Sequence, residues 1–201
     1  MGAQTGQVGG RGLGGLGWPS NGLLWALSFA VVYALAFELN RFFDPLFSVI
    51  EAKVSLIFLP AFIRVAAVLV AGAAGALGLF LGSLILGVIQ DLPIASSLVQ
   101  AFLTALAPCL ALLVIRYALA GRALGITLSL FLLLALFASI FNSLLHHIFW
   151  DFYPFAESVT LTTFWQMLVG DLSGALLGFG VFALIVRLLR ALSHPNPADS
   201  T

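Results

Sequence analysis

One apolar stretch decides the fold of this chain: Val54-Ser-Leu-Ile-Phe-Leu-Pro60-Ala-Phe-Ile-Arg64-Val-Ala-Ala-Val-Leu-Val-Ala-Gly72. It is long enough to enter a bilayer, yet it carries an arginine near its middle, where insertion of that charge costs at least ~2.5 to 3.5 kcal/mol. Such a charge needs a carboxylate or a wet cavity beside it inside a helix bundle. Asp171 lies at a comparable depth in another apolar stretch, so the sequence predicts that Arg64 and Asp171 pair.

The composition defines the broad class of the protein. Hydrophobic residues make up 62% of the 201 residues and charged residues only 8%, and the mean hydropathy is +1.15. These values predict an all-α integral membrane protein folded as one bundle. The eight basic and eight acidic residues cancel, so the chain has no net charge that would attract nucleic acid. A single cysteine, Cys109, permits no internal disulfide.

The apolar segments predict about six transmembrane helices, since about 20 apolar residues cross the hydrocarbon layer. The apolar run from Val54 to Ile89 is too long for one crossing, so we split it at the small residues Gly72-Ala-Ala-Gly75. Five crossings plus a re-entrant element is the open alternative. The predicted segments are Leu23–Leu39, Val54–Gly72, Gly75–Ile89, Pro93–Ile115, Leu124–Trp150 and Leu161–Leu189.

These segments form one transmembrane domain, residues 23–190, between two tails. Residues 1–22 read as a flexible glycine-rich tail and residues 191–201 as a short disordered tail with no room for a catalytic domain. Basic residues are concentrated on the side of the termini, which predicts that both termini are cytoplasmic and that the protein is a multi-pass protein of the inner (plasma) membrane. On that side lie Arg11, Arg116, Arg122, Arg187 and Arg190, against Arg41 and Lys53 on the other.

Five polar residues are predicted to gather in the outer half of the bundle. Counted at the helical rise from their segment starts, Arg64 and Asp171 both lie ~15 Å from the same face. Asn142 and His146 lie near the end of the fifth segment at that face, and Glu38 near the end of the first. We expect these five residues to bind a ligand or to form a buried polar pair. A purely structural ion pair that fixes helix register remains the alternative for Arg64 and Asp171.

Helical phase refines this prediction. Ser139, Asn142, Ser143 and His146 follow one another at i, i+3, i+4 and i+7 on one stripe, from which His147 is turned away by about 100°. Gly170, Asp171, Gly174 and Gly178 also share a face, so another helix can approach the carboxylate closely. A metal site at His146 and His147 is not expected, because adjacent histidines point apart and no cysteine or acidic cluster completes a coordination shell.

Three short motifs resemble those of the membrane-associated sensor (MASE) domains of bacterial signalling proteins. They are Phe58-Leu-Pro60-Ala-Phe-Ile-Arg64, Gly75-Ala-Leu-Gly-Leu-Phe-Leu-Gly82-Ser and Gly170-Asp-Leu-Ser-Gly174-Ala-Leu-Leu. The resemblance is closer to small stand-alone relatives without an output domain, and it implies sensing or binding within the membrane. The size of the chain is also similar to that of the substrate-binding components of energy-coupling-factor transporters. In that family small-residue repeats of the first helix dock the transporter module, and here Ala26, Ala30 and Ala34 have such spacing.

The sequence therefore predicts a non-enzymatic membrane module that senses or binds a small ligand, or a partner's helix, in the outer-half pocket. The alternatives are a substrate-binding component of a vitamin-type uptake transporter and a structural or assembly subunit of a larger membrane complex. An intramembrane aspartic protease would need two carboxylates that share a proton, and no second acid matches Asp171 in depth. The expected partners are the lipid bilayer, a small molecule, and a membrane protein or second copy, with no nucleic acid, cofactor or metal.

Overall fold

The computed structural model describes residues 19–50, 54–119, 127–152 and 160–193. Within them the chain forms five long helices and one short antiparallel pair of strands. The elements are α1 (Gly22–Phe47), β1 (Ser48–Ile50), β2 (Val54–Ser55), α2 (Pro60–Ile89), α3 (Ile94–Ala118), α4 (Leu128–Phe152) and α5 (Leu161–Ser193). All five helices are long and apolar enough to cross a membrane, as expected for a multi-pass helical bundle.

The prediction of six separate spans is not supported, because the second and third predicted segments belong to the single element α2. That element is nevertheless sharply bent. Gly72 has φ 55° and ψ −124°, far from helical values. A Cβ atom added at Gly75 would collide with the backbone of Ala67, although eight residues of straight helix would separate the two by ~12 Å. The break predicted at the small residues is therefore real, but it divides one element into two arms, residues 60–71 and 73–89.

The bend turns α2 back toward the end of the bundle where it began. Its first residues lie beside the end of α1, where the Leu59 amide donates to Asn40. The second arm then packs along α1 in the same direction, with Gly78 against Ala26 and Gly82 against Ala30. Both ends of α2 consequently lie near the C-terminal end of α1.

The remaining helices alternate in direction. Gly87 packs against Ser97, and the Ser83 hydroxyl lies 3.4 Å from that of Thr104, so α3 runs antiparallel to the second arm of α2. The α4 and α5 helices are joined where His147 contacts Thr160. Gly22 and Ser193 therefore lie at the same end of the bundle, whereas the cytoplasmic location of that end stays a prediction.

The interior is built from small residues and a few larger apolar side chains. Ala26, Ala67, Ala74 and Ala111 are completely buried, and Leu79 and Leu134 are the largest fully buried side chains. By contrast, leucine, valine and phenylalanine side chains cover the outside of all five helices. A surface of this composition favours contact with a lipid bilayer rather than with water.

Two helices run beyond the predicted segments. The first predicted segment ended at Leu39, but α1 continues to Phe47. The i,i+3 ion pair Glu38–Arg41 and the i,i+4 contact Asn40–Asp44 follow this helical path. At the other end α5 runs to Ser193, three residues into the predicted tail. Residues 1–18 and 194–201, which make up most of both predicted tails, lie outside the described residues.

Candidate functional site

A short non-helical segment before α2, residues 54–59, lies against the small-residue face of α5. The Phe58 amide donates to the Gly170 carbonyl at 2.9 Å, and the Ser173 hydroxyl donates to the Leu56 carbonyl at 2.5 Å. A Cβ atom at Gly174 would collide with the Phe58 backbone. The close approach predicted for this face is therefore present, but the non-helical segment before α2, not a helix, makes most of it.

Asn40 fixes the start of α2 from the side of α1. Its Oδ1 atom accepts a hydrogen bond from the Leu59 amide at 2.8 Å, although the two residues are far apart in the sequence. Leu59 immediately precedes α2, where backbone amides have no partner within the helix. Asn40 is buried, so this side chain supplies the partner that water would otherwise provide.

Arg64 and Asp171 form the predicted ion pair. Arg64 Nη2 lies 2.5 Å from Asp171 Oδ1, and the two side chains are only 5% and 3% exposed. Asn142 Nδ2 donates to the other carboxylate oxygen at 2.7 Å. The Asp171 carboxylate therefore joins α2, α4 and α5 through both of its oxygens, one of which accepts from a cation and the other from an amide.

The pair is also held by an aromatic ring. The Arg64 guanidinium carbon lies 5.0 Å from the centroid of Phe58, within the range of a cation–π contact. Phe58 in turn meets Phe37 of α1 edge to face, with ring centroids 5.9 Å apart. Arg64 Nε and Asn142 Oδ1 are buried without a hydrogen-bond partner in the described part of the chain.

The two neighbouring histidines have different surroundings. His146 is buried, its Nδ1 lies 3.0 Å from the Asn142 carbonyl, and its ring packs edge to face on Trp150. His147 faces the start of α5 instead, with Nε2 3.2 Å from the Thr160 carbonyl. The prediction that His147 does not belong to the polar stripe agrees with this geometry.

A partly open cavity of about 660 Å³ is lined by both members of the ion pair. Its walls come from all five helices and from the segment that contains Ser55 and Phe58. The full lining is Tyr33, Phe37, Asn40, Arg41, Asp44, Pro45, Ser55, Phe58, Arg64, Ser83, Gln90, Gln100, Thr104, Asn142, His146, Trp150, Met167 and Asp171.

Four of the five predicted site residues line this cavity: Arg64, Asp171, Asn142 and His146. Glu38 does not. Its side chain is 46% exposed and pairs with Arg41 at 3.6 Å, because a carboxylate near a helix end reaches solvent easily.

The amide and hydroxyl groups that form much of the lining were not predicted from the sequence. Gln90 and Gln100 lie near helix ends, where polar residues usually face water, and Tyr33 and Thr104 stand alone in apolar segments. The concentration of amide residues near one end of the apolar segments was the feature of the sequence that could have indicated a polar cavity there.

The described residues contain no group of three or more histidine, cysteine, aspartate or glutamate side chains that could hold a metal ion. No known protein family, curated protein or solved structure matches the chain.

Proposed function

We propose that this protein is a non-enzymatic module of the plasma membrane that binds a small ligand in the cavity beside the Arg64–Asp171 pair. The observation that carries the proposal is a cavity of about 660 Å³ whose lining includes a buried, hydrogen-bonded ion pair. Small-molecule sites usually measure ~300 to 1,000 Å³ and combine apolar walls with a few placed polar groups. A purely structural ion pair would need no such space beside it.

The ligand enters from the side opposite the two termini. Asn40, Gln90 and Trp150 belong to the ends of α1, α2 and α4 that lie away from Gly22 and Ser193. Arg187 and Arg190 lie at the end that carries the termini. The excess of basic residues there supports a cytoplasmic location for both termini, which makes the cavity open to the outside.

The arrangement of Asp171 supports a binding role rather than catalysis. An aspartic protease needs two acids that share a proton, whereas the two oxygens of Asp171 accept hydrogen bonds from Arg64 and Asn142. The resemblance to stand-alone membrane-associated sensor domains is compatible with ligand binding, and the protein then acts as a sensor that reports to a membrane partner.

The cavity is equally compatible with a substrate-binding component of an uptake transporter. The small-residue spacing of α1, however, no longer supports that alternative. Ala26 is completely buried and Ala30 nearly so, packed against Gly78 and Gly82 of the same chain. That face of α1 is therefore covered and cannot dock a transporter module in this conformation. No specific observation favours the assembly-subunit alternative.

Native mass spectrometry of protein extracted gently from its membrane tests the proposal. We expect a small molecule to be retained by the wild type and lost from His146→Ala, which removes a ring from the cavity wall. His147→Ala is the matched control, since His147 faces the start of α5, is not among the lining residues, and its replacement should keep the ligand. Wild-type protein without any bound mass, in detergent and in nanodiscs made from native membrane, would refute ligand binding.

A further inference from the structure

The chemistry of the lining narrows the class of ligand, if the cavity is a binding site as proposed above. We infer that the cavity accepts an uncharged, planar heterocycle that carries both hydrogen-bond donors and acceptors on its edge, as a lactam or a nucleobase does. Three features of the described residues carry this inference: amide groups, lining charges that sum to zero, and aromatic walls.

Amide side chains are concentrated in the cavity. The described residues include six asparagines and glutamines, namely Asn21, Asn40, Gln90, Gln100, Asn142 and Gln166. Four of them, all except Asn21 and Gln166, line the cavity. An amide offers two donors and a carbonyl acceptor, so it pairs best with a partner that presents both kinds of group.

Three of these amides keep hydrogen-bonding capacity that the described residues do not use. Gln90 and Gln100 are half-buried and make no side-chain hydrogen bond to another described residue. Asn142 Oδ1 is buried without a partner, and leaving a buried polar group unpaired is unfavourable. A ligand with donors and acceptors on one edge can bond to these groups, whereas an apolar acyl chain cannot.

The charged groups of the lining balance one another. The lining contains two arginines, Arg41 and Arg64, and two aspartates, Asp44 and Asp171. Arg64 is paired with Asp171 and Arg41 with Glu38 at 3.6 Å, whereas Asp44 accepts a hydrogen bond from the neutral amide of Asn40 at 3.5 Å. Because these charges sum to zero, the lining as a whole favours neither an anion nor a cation.

Aromatic rings favour a flat ligand. Phe37, Phe58, Tyr33 and Trp150 contribute to the walls and come from three different parts of the chain. Rings of this kind bury large areas against another planar group. The volume of about 660 Å³ accommodates two or three fused rings with substituents.

Four fluorescent tricyclic probes of similar size separate the possible classes. Lumichrome is neutral and carries ring N–H donors and carbonyl acceptors, anthracene-9-carboxylate is an anion, 9-aminoacridine is a cation, and anthracene is apolar. Binding to the full-length protein in nanodiscs is measured by fluorescence anisotropy, and the signal from empty nanodiscs is subtracted to remove lipid partitioning. We expect saturable binding of lumichrome with a Kd at least ~10-fold below those of the other three.

Two glutamine variants connect the binding to the lining. Gln90→Leu and Gln100→Leu should each weaken lumichrome binding by about 3- to 10-fold, the usual effect of one lost hydrogen bond. Gln166→Leu removes an amide that does not line the cavity and should leave the Kd unchanged. Thermal unfolding of each variant shows that it is folded.

The outcomes are distinct for the two proposals. Tightest binding of the anion, the cation or anthracene would overturn the heterocycle inference, and so would lumichrome binding that both glutamine variants leave unaltered. Absence of binding by all four probes would overturn it as well. Retention of a native small molecule that His146→Ala loses would still uphold the binding function in each of these cases.

Discussion

Replacement of Asp171 by asparagine tests the interaction on which the site is built. The substitution keeps the shape of the side chain and removes its charge, which leaves a guanidinium that is 5% exposed without a counter-ion. Loss of one partner from a buried ion pair typically costs about 3 to 5 kcal/mol. Insertion scales give ~2.5 to 3.5 kcal/mol for an unpaired arginine at mid-membrane.

The surroundings of Asp171 favour the lower end of this range. In Asp171→Asn one carboxylate oxygen becomes an amide nitrogen, which would face the donating nitrogen of Asn142. Rotation of the Asn142 amide by half a turn presents its unused Oδ1 instead and restores that hydrogen bond. The remaining loss is that of the charge opposite Arg64. We therefore expect the free energy of unfolding to fall by about 3 kcal/mol, a factor of about 100 in the folding equilibrium.

A double-mutant cycle measures the pair itself. The variants are Asp171→Asn, Arg64→Met and the double mutant, each unfolded reversibly in mixed micelles, and methionine keeps the apolar length of the arginine stem. We expect a coupling energy of about 2 kcal/mol or more. The exposed pair Glu38–Arg41 is the matched control, and its coupling should stay below about 1 kcal/mol. Additivity of the Arg64 and Asp171 variants within about 0.5 kcal/mol would refute the reasoning.

Three further substitutions test the fold around the site by thermal unfolding in detergent. Gly72→Ala forces a Cβ onto a backbone with φ 55° and ψ −124° and should cost on the order of 1 to 3 kcal/mol; an unchanged Tm would contradict the bend. Gly174→Ala places a methyl group into the Phe58 backbone and should cost about 1 to 3 kcal/mol, whereas Gly180→Ala, with open space around it, should be neutral or slightly stabilising. Equal Tm values for these two glycine variants would rule out the proposed packing. Asn40→Ala leaves the first amide before α2 without its partner and should cost about 1 to 3 kcal/mol; a loss below about 0.5 kcal/mol would mean that water replaces this contact.

The pairing of Arg64 with Asp171 could be predicted from the sequence because a charge inside an apolar segment has few acceptable partners. The depth of Arg64 was only partly right. Residues from Val54 onward were predicted to be helical, whereas α2 begins at Pro60 and is preceded by a short strand, Val54–Ser55, and an irregular stretch. The energetic requirement for a counter-charge identified the partner even where the assumed geometry was wrong.

The cavity could not be predicted in the same way. Its amide and hydroxyl groups are uncharged, so burying them costs less free energy than burying Arg64 and does not require a charged partner. Each of these residues is also of a type commonly found at the protein surface. Gln90 follows α2 directly and Gln100 lies in the second turn of α3. Only the packing of α3 against the second arm of α2 brings these residues to one space. The angle of the bend at Gly72 could not be predicted from the sequence either. A run of small residues indicates where a helix can break, but not the angle between the two arms.

The bend at Gly72 links the fold to the proposed function. A straight helix from Pro60 to Ile89 would measure ~45 Å and would hold its two ends on opposite sides of the bundle. In the bent element Arg64 of the first arm and Ser83 of the second arm line the same cavity, together with Gln90 directly after α2. The first arm is only ~18 Å long, too short to cross the hydrocarbon layer alone. The two arms of α2 therefore enter and leave the bundle at the same end. Arg64 lies in the first arm, where its charge is surrounded by protein instead of acyl chains. The same bend leaves a polar space beside the charge, so the ion pair and the cavity are two consequences of one backbone conformation that glycine permits.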